Sequence, residues 1–481
     1  MIKDVNRRKA LLIICTTEFF SCFSFFGMLS LLSLFFVRDM HFPEKLSYSI
    51  LGNFAALSYV SALIGGFIGG RYLTFRLTCV LGLVAYALGY FILMLDQNII
   101  FIDVGLASIA CGCGLLEPNI RVLLGMHYNQ SATEERNTGF TLLHIFNIVG
   151  QIAGPITLTY LNRINASWMF AASGIASVFA IIVFLFNYKH ISQLPTSKGN
   201  KNKNKKKPSE IFKGLLFIML LATFIFLILC QRDVKYVLEV VFLGVVIAFS
   251  IILPKTENQA RIKITTIFLI LIGLVVAEIC FRQGFGVMNL FTLSYVNRVV
   301  LNTAIPTGVF QSVEPFFILI SFAWILKIRK KLKAKGCALS SGVSVALGLF
   351  GLSISFGFLV VGILFATSQK IALIWLILSY AAMAFAELFI IPIVTAATTA
   401  LSPKNWSGTM MGIFFLSGAL SSYLSGHVGK FISPQTGNTS VETYKNLFLI
   451  LTTFAGIASV CIYITWKYWQ KKRSAELPEE I

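Results

Sequence analysis

A chain of 481 residues that is 57% hydrophobic and only 12% charged, with a mean hydropathy of +0.80, cannot cover a water-facing surface of its own size, because charged residues make up roughly a quarter to a third of a soluble domain's surface. The net charge of +20 sits in short loops beside apolar runs, as cytoplasmic loops do under the positive-inside rule. It is not interleaved with aromatics on a folded face, so no nucleic-acid partner is expected. The nine cysteines lie mostly inside apolar runs without metal-ligand spacing, Cys111 and Cys113 included. They read as buried small hydrophobes, with no disulfide frame and no metal site.

After a basic start (Lys3, Arg7, Arg8, Lys9), apolar runs long enough to cross a bilayer fall at about 10–37, 46–70, 75–96, 98–125, 138–160 and 167–187. The first is too long for a signal-peptide core and lacks a small-residue cleavage site, so it is expected to remain a span. The loops alternate: Arg71, Arg76 and HYNQSATEERN fall on the side of the N-terminus, DQN and NRINAS on the other. The run Gly199 to Glu210, GNKNKNKKKPSE, holds no apolar residue and is expected to be a solvated cytoplasmic linker, with contact to acidic lipid as the alternative. Two shorter runs at about 212–230 and 235–253 carry almost no internal polar residues and are expected to face lipid. Six more follow at about 262–290, 305–328, 339–367, 370–400, 404–430 and 446–468, with KIRKKLKAKG and the tail KYWQKKR again on the N-terminal side.

The count predicts an all-α membrane protein of about fourteen spans with both termini cytoplasmic. Residues 1–190 form an N-terminal six-helix bundle, 191–258 a basic linker with two inserted helices, and 259–481 a C-terminal six-helix bundle with a tail. Two such bundles joined by a basic loop are the major facilitator plan, with a substrate near the midplane and access by rocking one bundle against the other. Organisation alone fits a fourteen-span drug exporter as well. Pro118, Pro155 and Pro392 lie in or near helices and are expected to bend them.

Chemistry enters with Glu18, alone among apolar residues in TTEFFSCFSFFGML. A carboxylate at bilayer depth costs a few kcal/mol on insertion scales (~3) and normally faces a protein interior or a wet cavity. Helical spacing puts Ser21, Cys22 and Phe25 on its face. A cavity-lining Glu18 is expected; the plainer alternative is a hydrogen-bonded Glu that only glues helices together. His144 faces either the cavity or a neighbouring helix, and reads first as a neutral hydrogen-bonded packing histidine. With no histidine cluster, Ser/Lys dyad or metal spacing in the spans, an enzyme is not expected.

Seven stretches, in order, resemble the proton-dependent oligopeptide transporter (POT, or PTR2) family over most of the chain. The opening stretch follows the frame ExxERFxYYGM, keeping Glu18, Gly27 and Met28 but replacing the second Glu and the Arg with Ser21 and Cys22 and the tyrosines with Phe25 and Phe26. ALSYVSALIGG is similar to the second helix, with Tyr59 at the family's cavity tyrosine; GGRYLTFR keeps Arg71 but has Gly70 where Asp is usual. GCGLLEPNIRVLLGMHY resembles GxGxxKPNxxxxxGxxY, with Glu117 for the lysine, and FTLLHIFNIVGQIAGP resembles FxxFYxxINxGS, keeping Asn147 and Gly150. FRQGFGVMNLF has Arg282 where an acid usually precedes the Gln, IPTGVFQSVEPFF has Glu314 for an Asn, and AELFIIPI places Glu387 at the acid that family members use for a peptide's amino group. SPKNWSGTMMGIFFLSGA also fits.

The resemblance implies a secondary transporter of di- or tripeptides or a related amine-bearing substrate, driven by a proton gradient without a cofactor, monomeric and in a bacterial inner membrane. A drug or amine exporter and a transport-inactive receptor on the same scaffold are the alternatives. It implies substrate contacts at Glu18, Tyr59, Asn147, Arg282, Glu314 and Glu387, and proton coupling or gating at Glu18, Glu117 and Arg282. The family's fourth-helix lysine and seventh-helix acid, which pair across the halves, are here exchanged in sign as Glu117 and Arg282. A swapped pair is tolerated far better than either change alone; local pairs Glu117–Arg121 and Glu278–Arg282 at four-residue spacing are the alternative. Glu18, Glu314 and Glu387 have no cationic neighbour in sequence, and the family's carboxylate-binding cations are Cys22 and Glu117 here. A cationic substrate, or one without a free carboxylate, is therefore expected, with Arg282 taking over the carboxylate as the other possibility. Loss of the motif's second Glu and its Arg leaves open whether coupling is retained, altered or absent.

Overall fold

Helix ends are set by local chemistry, and the glycines between them decide which helices meet. The computed structural model describes residues 5–96, 98–128, 133–186, 206–231, 239, 258–334, 340–366, 370–402, 407–432 and 439–476. The second inserted span expected at 235–253 and residues 199–205 of the linker lie outside them. In chain order the helices are α1 (Val5–Leu34, continued by a π-helical turn Phe35–Asp39), α2 (Glu44–Arg71), α3 (Phe75–Leu95), α4 (Ile99–Met126), α5 (Thr133–Asn162), α6 (Ala166–Phe186) and α7 (Pro208–Gln231). They continue as α8 (Asn258–Phe281), α9 (Val287–Tyr295), α10 (Val313–Ala334), α11 (Ser341–Leu364), α12 (Leu373–Leu401), α13 (Ser407–Ile432) and α14 (Val441–Glu476). Among the described residues, eleven helices are long and apolar enough to cross a membrane. Of the fourteen expected spans, α10 and α13 form as helices but are not among those eleven.

The chain divides into two compact units: Met1–His41 with Asn53–Val234, and Phe42–Gly52 with Lys235–Ile481. In the first, α1 packs on α5 and α6, α3 on α4 and α6, and α7 on α4. Small residues allow backbones to touch where no apolar driving force separates helix from lipid. A Cβ at Gly154 would lie 2.3 Å from the carbonyl oxygen of Phe23, and one at Gly150 2.6 Å from that of Phe19, so GQIAG seats α5 directly on α1. On α4, a Cβ at Gly114 would lie 2.3 Å from the backbone carbon of Ser61, whose hydroxyl donates to the Ala110 carbonyl at 2.5 Å. The α2–α3 turn needs Gly70, whose φ of +80° is a left-handed conformation that glycine adopts without cost. Thr74 then caps α3 by accepting from the Leu77 amide at 3.3 Å. The inserted helix α7 is largely exposed, as expected of a lipid-facing span, and touches the unit through Gly214 on Leu73 and Phe217 on Tyr72.

In the second unit α11 packs on α12 and α14, α10 on α12, and α8 on α11, α12, α13 and α14. One long run, read above as a single span, is broken. α8 gives way to a 3-10 turn, Arg282–Gly284, before α9 begins. The freed backbone is satisfied inside the protein, as a non-helical stretch at membrane depth requires: Gln311 donates to the Gly284 carbonyl at 2.7 Å and to Tyr380 at 3.0 Å. Gln283 donates to Ile279 at 3.0 Å and to the Ser425 hydroxyl at 2.9 Å. A two-stranded hairpin, β1 (Val299–Val300) with β2 (Thr303–Ala304), turns through Leu301 and Asn302, both at positive φ. The first turns of α2 belong here: Glu44 accepts from the Thr439 hydroxyl at 2.5 Å, and Gly52 lies against Gly426. Pro118, Pro155 and Pro392 sit inside α4, α5 and α12. Six of the eight described cysteines are buried or half-buried; Cys230 and Cys461 are exposed.

Candidate functional site

In the first unit the close α1–α5 crossing carries Asn147, one turn before Gly150, onto Glu18. The amide nitrogen of Asn147 donates to Glu18 Oε1 at 2.8 Å and to Cys22 Sγ at 2.9 Å, and Gln151 donates to Asn147 Oδ1 at 2.6 Å. Glu18 is 1% exposed and its Oε2 is buried without a hydrogen-bond partner. From α4, Arg121 Nη1 pairs with the Glu117 carboxylate and donates to the Glu117 carbonyl at 2.8 Å, while Nη2 stands 3.6 Å from Glu18 Oε1. Glu18 therefore has a cationic neighbour in the fold that its own stretch of sequence does not reveal. The signal was present in part: Arg121 is four residues from Glu117 and Gln151 four from Asn147, each one turn along the face of a residue already singled out.

Ligand-type atoms of Glu18, Cys22 and Glu117 lie within 4.8 Å of one another, close enough to surround a metal ion. The guanidinium of Arg121 lies against both carboxylates and Asn147 donates to the sulfur, so a cation of the chain itself already stands beside the trio and offsets one of its two carboxylate charges. Tyr59 is half-buried on α2. His144 lies on α5 beside the buried Leu143 and within electrostatic reach of Arg121.

In the second unit Arg282, at the helix break, donates to Glu278 Oε2 at 2.8 Å. Both local four-residue pairs thus form. Glu314, in the first turn of α10, and Glu387, on α12, lie within electrostatic reach of each other and of Glu278. Neither Glu314 nor Glu387 has an ion-pair partner among the described residues, and Glu314 Oε1 is buried without a hydrogen bond. Gln311 and Tyr380, which brace the break, were not singled out from sequence; only their neighbourhood to Gly284 in the fold links them. A groove of about 490 Å³ on α11 and α12 is lined by Leu347, Phe350, Ile354, Phe385 and other apolar residues, with none of these acids.

Long apolar helices that carry buried, partly matched charges define a multi-pass membrane protein whose intramembrane charges mark its functional site. The model of the POT family (PTR2) matches residues 76–447, and the chain belongs to that family. It is similar to dipeptide and tripeptide permease B of Salmonella typhimurium, 27% identical over 469 residues and covering 93% of each chain. It is similar to dipeptide and tripeptide permease A of Klebsiella pneumoniae, 26% identical over 465 residues, 95% of this chain and 91% of the other. Its fold matches the crystal structure of a peptide transporter POT in complex with sulfate, with a TM-score of 0.83 at 22% identity over 96% of this chain and 95% of that one. It also matches a POT family transporter in complex with 5-aminolevulinic acid, TM-score 0.83 at 23% identity over 95% and 96%.

Proposed function

We propose that the chain carries di- and tripeptides, or closely related small amine-bearing molecules, across a bacterial inner membrane by alternating access, coupled to protons, as a monomer with both termini cytoplasmic. The observation that carries the reading is Glu18: a carboxylate 1% exposed at mid-helix, held by Asn147 and Arg121 in a family whose similar proteins include dipeptide and tripeptide permeases. A buried acid beside a movable cation can bind and release a proton as that cation comes and goes. Glu18, Glu117, Asn147 and Tyr59 of the first unit are proposed as its proton and substrate residues, and Arg282, Glu314 and Glu387 as those of the second. The exchanged charges Glu117 and Arg282 would pair in a different gating state, after their local pairs open. The test is uptake of labelled dialanine into liposomes holding the purified protein. An inward proton gradient should drive saturable uptake, and a protonophore should abolish the concentrative part. No saturable uptake with or without a gradient would refute the reading and leave an exporter of other chemistry or a transport-inactive receptor.

A second reading concerns substrate charge. Glu314 and Glu387 lack any matching cation among the described residues, which favours peptides with a cationic side chain or amines without a carboxylate. Competition for dialanine uptake by lysine-containing dipeptides and simple amines supports it. Full competition by neutral dipeptides with none by cationic compounds rejects it.

A further inference from the structure

Among the described residues, two arginines within the spans touch carboxylates, and they are held differently. Arg282 gives Glu278 a direct hydrogen bond at 2.8 Å and is 17% exposed. Arg121 gives Nη1 to Glu117, but its Nη2 lies 3.6 Å from Glu18, beyond hydrogen-bond range, and its side chain is 43% exposed. It thus keeps N–H donors unspent and open, oriented by an acid on each side. A guanidinium held in this way presents a planar fork to an incoming carboxylate at little ordering cost. We propose that Arg121 is the residue that receives the carboxylate of the transported molecule. The proposal rests on the peptide-carrier reading above, in which Arg121 is only the cation beside Glu18, and gives it a contact with the substrate.

Charge sets a condition on this. Glu18 and Glu117 ionised against one guanidinium leave a net charge of −1, which repels a carboxylate. One proton on the trio brings it to neutral, and Glu18, with a buried and unmatched Oε2, is the acid that gains most from it. The titratable groups facing Glu18 and Arg121 are Cys15 and Cys22 on α1, Cys79 on α3, Cys113 and Glu117 on α4, and His144 on α5. Binding of a substrate with a free carboxylate should therefore take up about one proton, and binding of its amide none.

The experiment compares dialanine with its C-terminal amide on the purified protein, by ligand-dependent thermal stabilisation and by calorimetry in buffers of different ionisation enthalpy. The wild-type protein should prefer the free peptide and take up a proton with it alone. Arg121→Gln should weaken the free peptide about tenfold, the scale of one charge-assisted contact, while changing the amide less than about twofold. Arg121→Lys, which keeps the charge, should retain part of the preference and guards against a variant that merely misfolds. Equal weakening of both ligands in Arg121→Gln, or an unchanged preference, would overturn the assignment. A wild-type protein that responds to neither ligand would instead refute the peptide reading, and this role with it.

Discussion

The two units hold their buried acids under opposite conditions. In the first, Glu18 and Glu117 share one guanidinium, Asn147 serves Glu18 and Cys22, and Gln151 braces Asn147. In the second, Arg282 hydrogen-bonds Glu278, while Glu314 and Glu387 have no cation in contact among the described residues. A matched cluster keeps its shape without a ligand, whereas unmatched buried acids are costly until a cation or proton arrives. Form therefore comes from the first unit and demand for positive charge from the second.

The comparison is broken most severely by disrupting the α1–α5 approach on which the matched cluster stands. Gly154→Leu places a side chain where a Cβ alone would be 2.3 Å from a backbone oxygen, so one helix must move. A loss of about 3 kcal/mol or more is expected, seen as failure to elute as a monodisperse species from detergent extracts. By contrast, a Cβ at Gly348 would first meet the side chain of Ile390, at 2.3 Å, with the nearest backbone atom, the Ala386 carbonyl oxygen, at 3.0 Å, so Gly348→Ala should be milder. If Gly154→Leu folds and transports normally, the cluster does not depend on that crossing.

A smaller effect tests the matched acid itself. Glu18→Gln keeps the shape and the amide contact with Asn147 but removes the charge facing Arg121. Gradient-driven uptake should fall about a hundredfold, near 2.7 kcal/mol. Exchange of labelled for unlabelled substrate without a gradient should persist, because binding survives while coupling does not. Uptake that still follows the proton gradient would move coupling to the acids of the second unit.

Much of this was legible in the sequence for a simple reason: apolar runs of bilayer length must become helices, since no other open structure satisfies its backbone in lipid. Glu18 stood out because a charge there needs an explanation. The partner Arg121 did not, because the sequence places it 103 positions away and only the folded chain brings α4 beside α1. The break at Arg282–Gly284 was hidden by its neighbours, since Phe281 and Val287–Leu290 continue the apolar pattern through it. What stops the helix is the pair Gly284 and Gly286, with Gln283 and Gln311 supplying donors that only the folded chain brings near. Helices were readable from composition; contacts between them were not.

The smallest expected effect discriminates most sharply between the units. Glu314→Asn removes one unmatched carboxylate, including the oxygen that is buried without a partner, and leaves a neutral polar side chain one methylene shorter. If Glu314 is a cost held for the sake of a cation, the unliganded protein should gain stability, on the order of 1 kcal/mol, because an unsatisfied buried charge is replaced by a neutral amide. The same variant should lose about fivefold in apparent affinity for lysine-containing dipeptides, roughly 1 kcal/mol, with little change for dialanine. Thermal unfolding and competition uptake measured on one preparation give both numbers. A variant that is less stable and equally selective would show that Glu314 is matched by contacts within its own unit, and the contrast between the units would then rest on Glu387 alone.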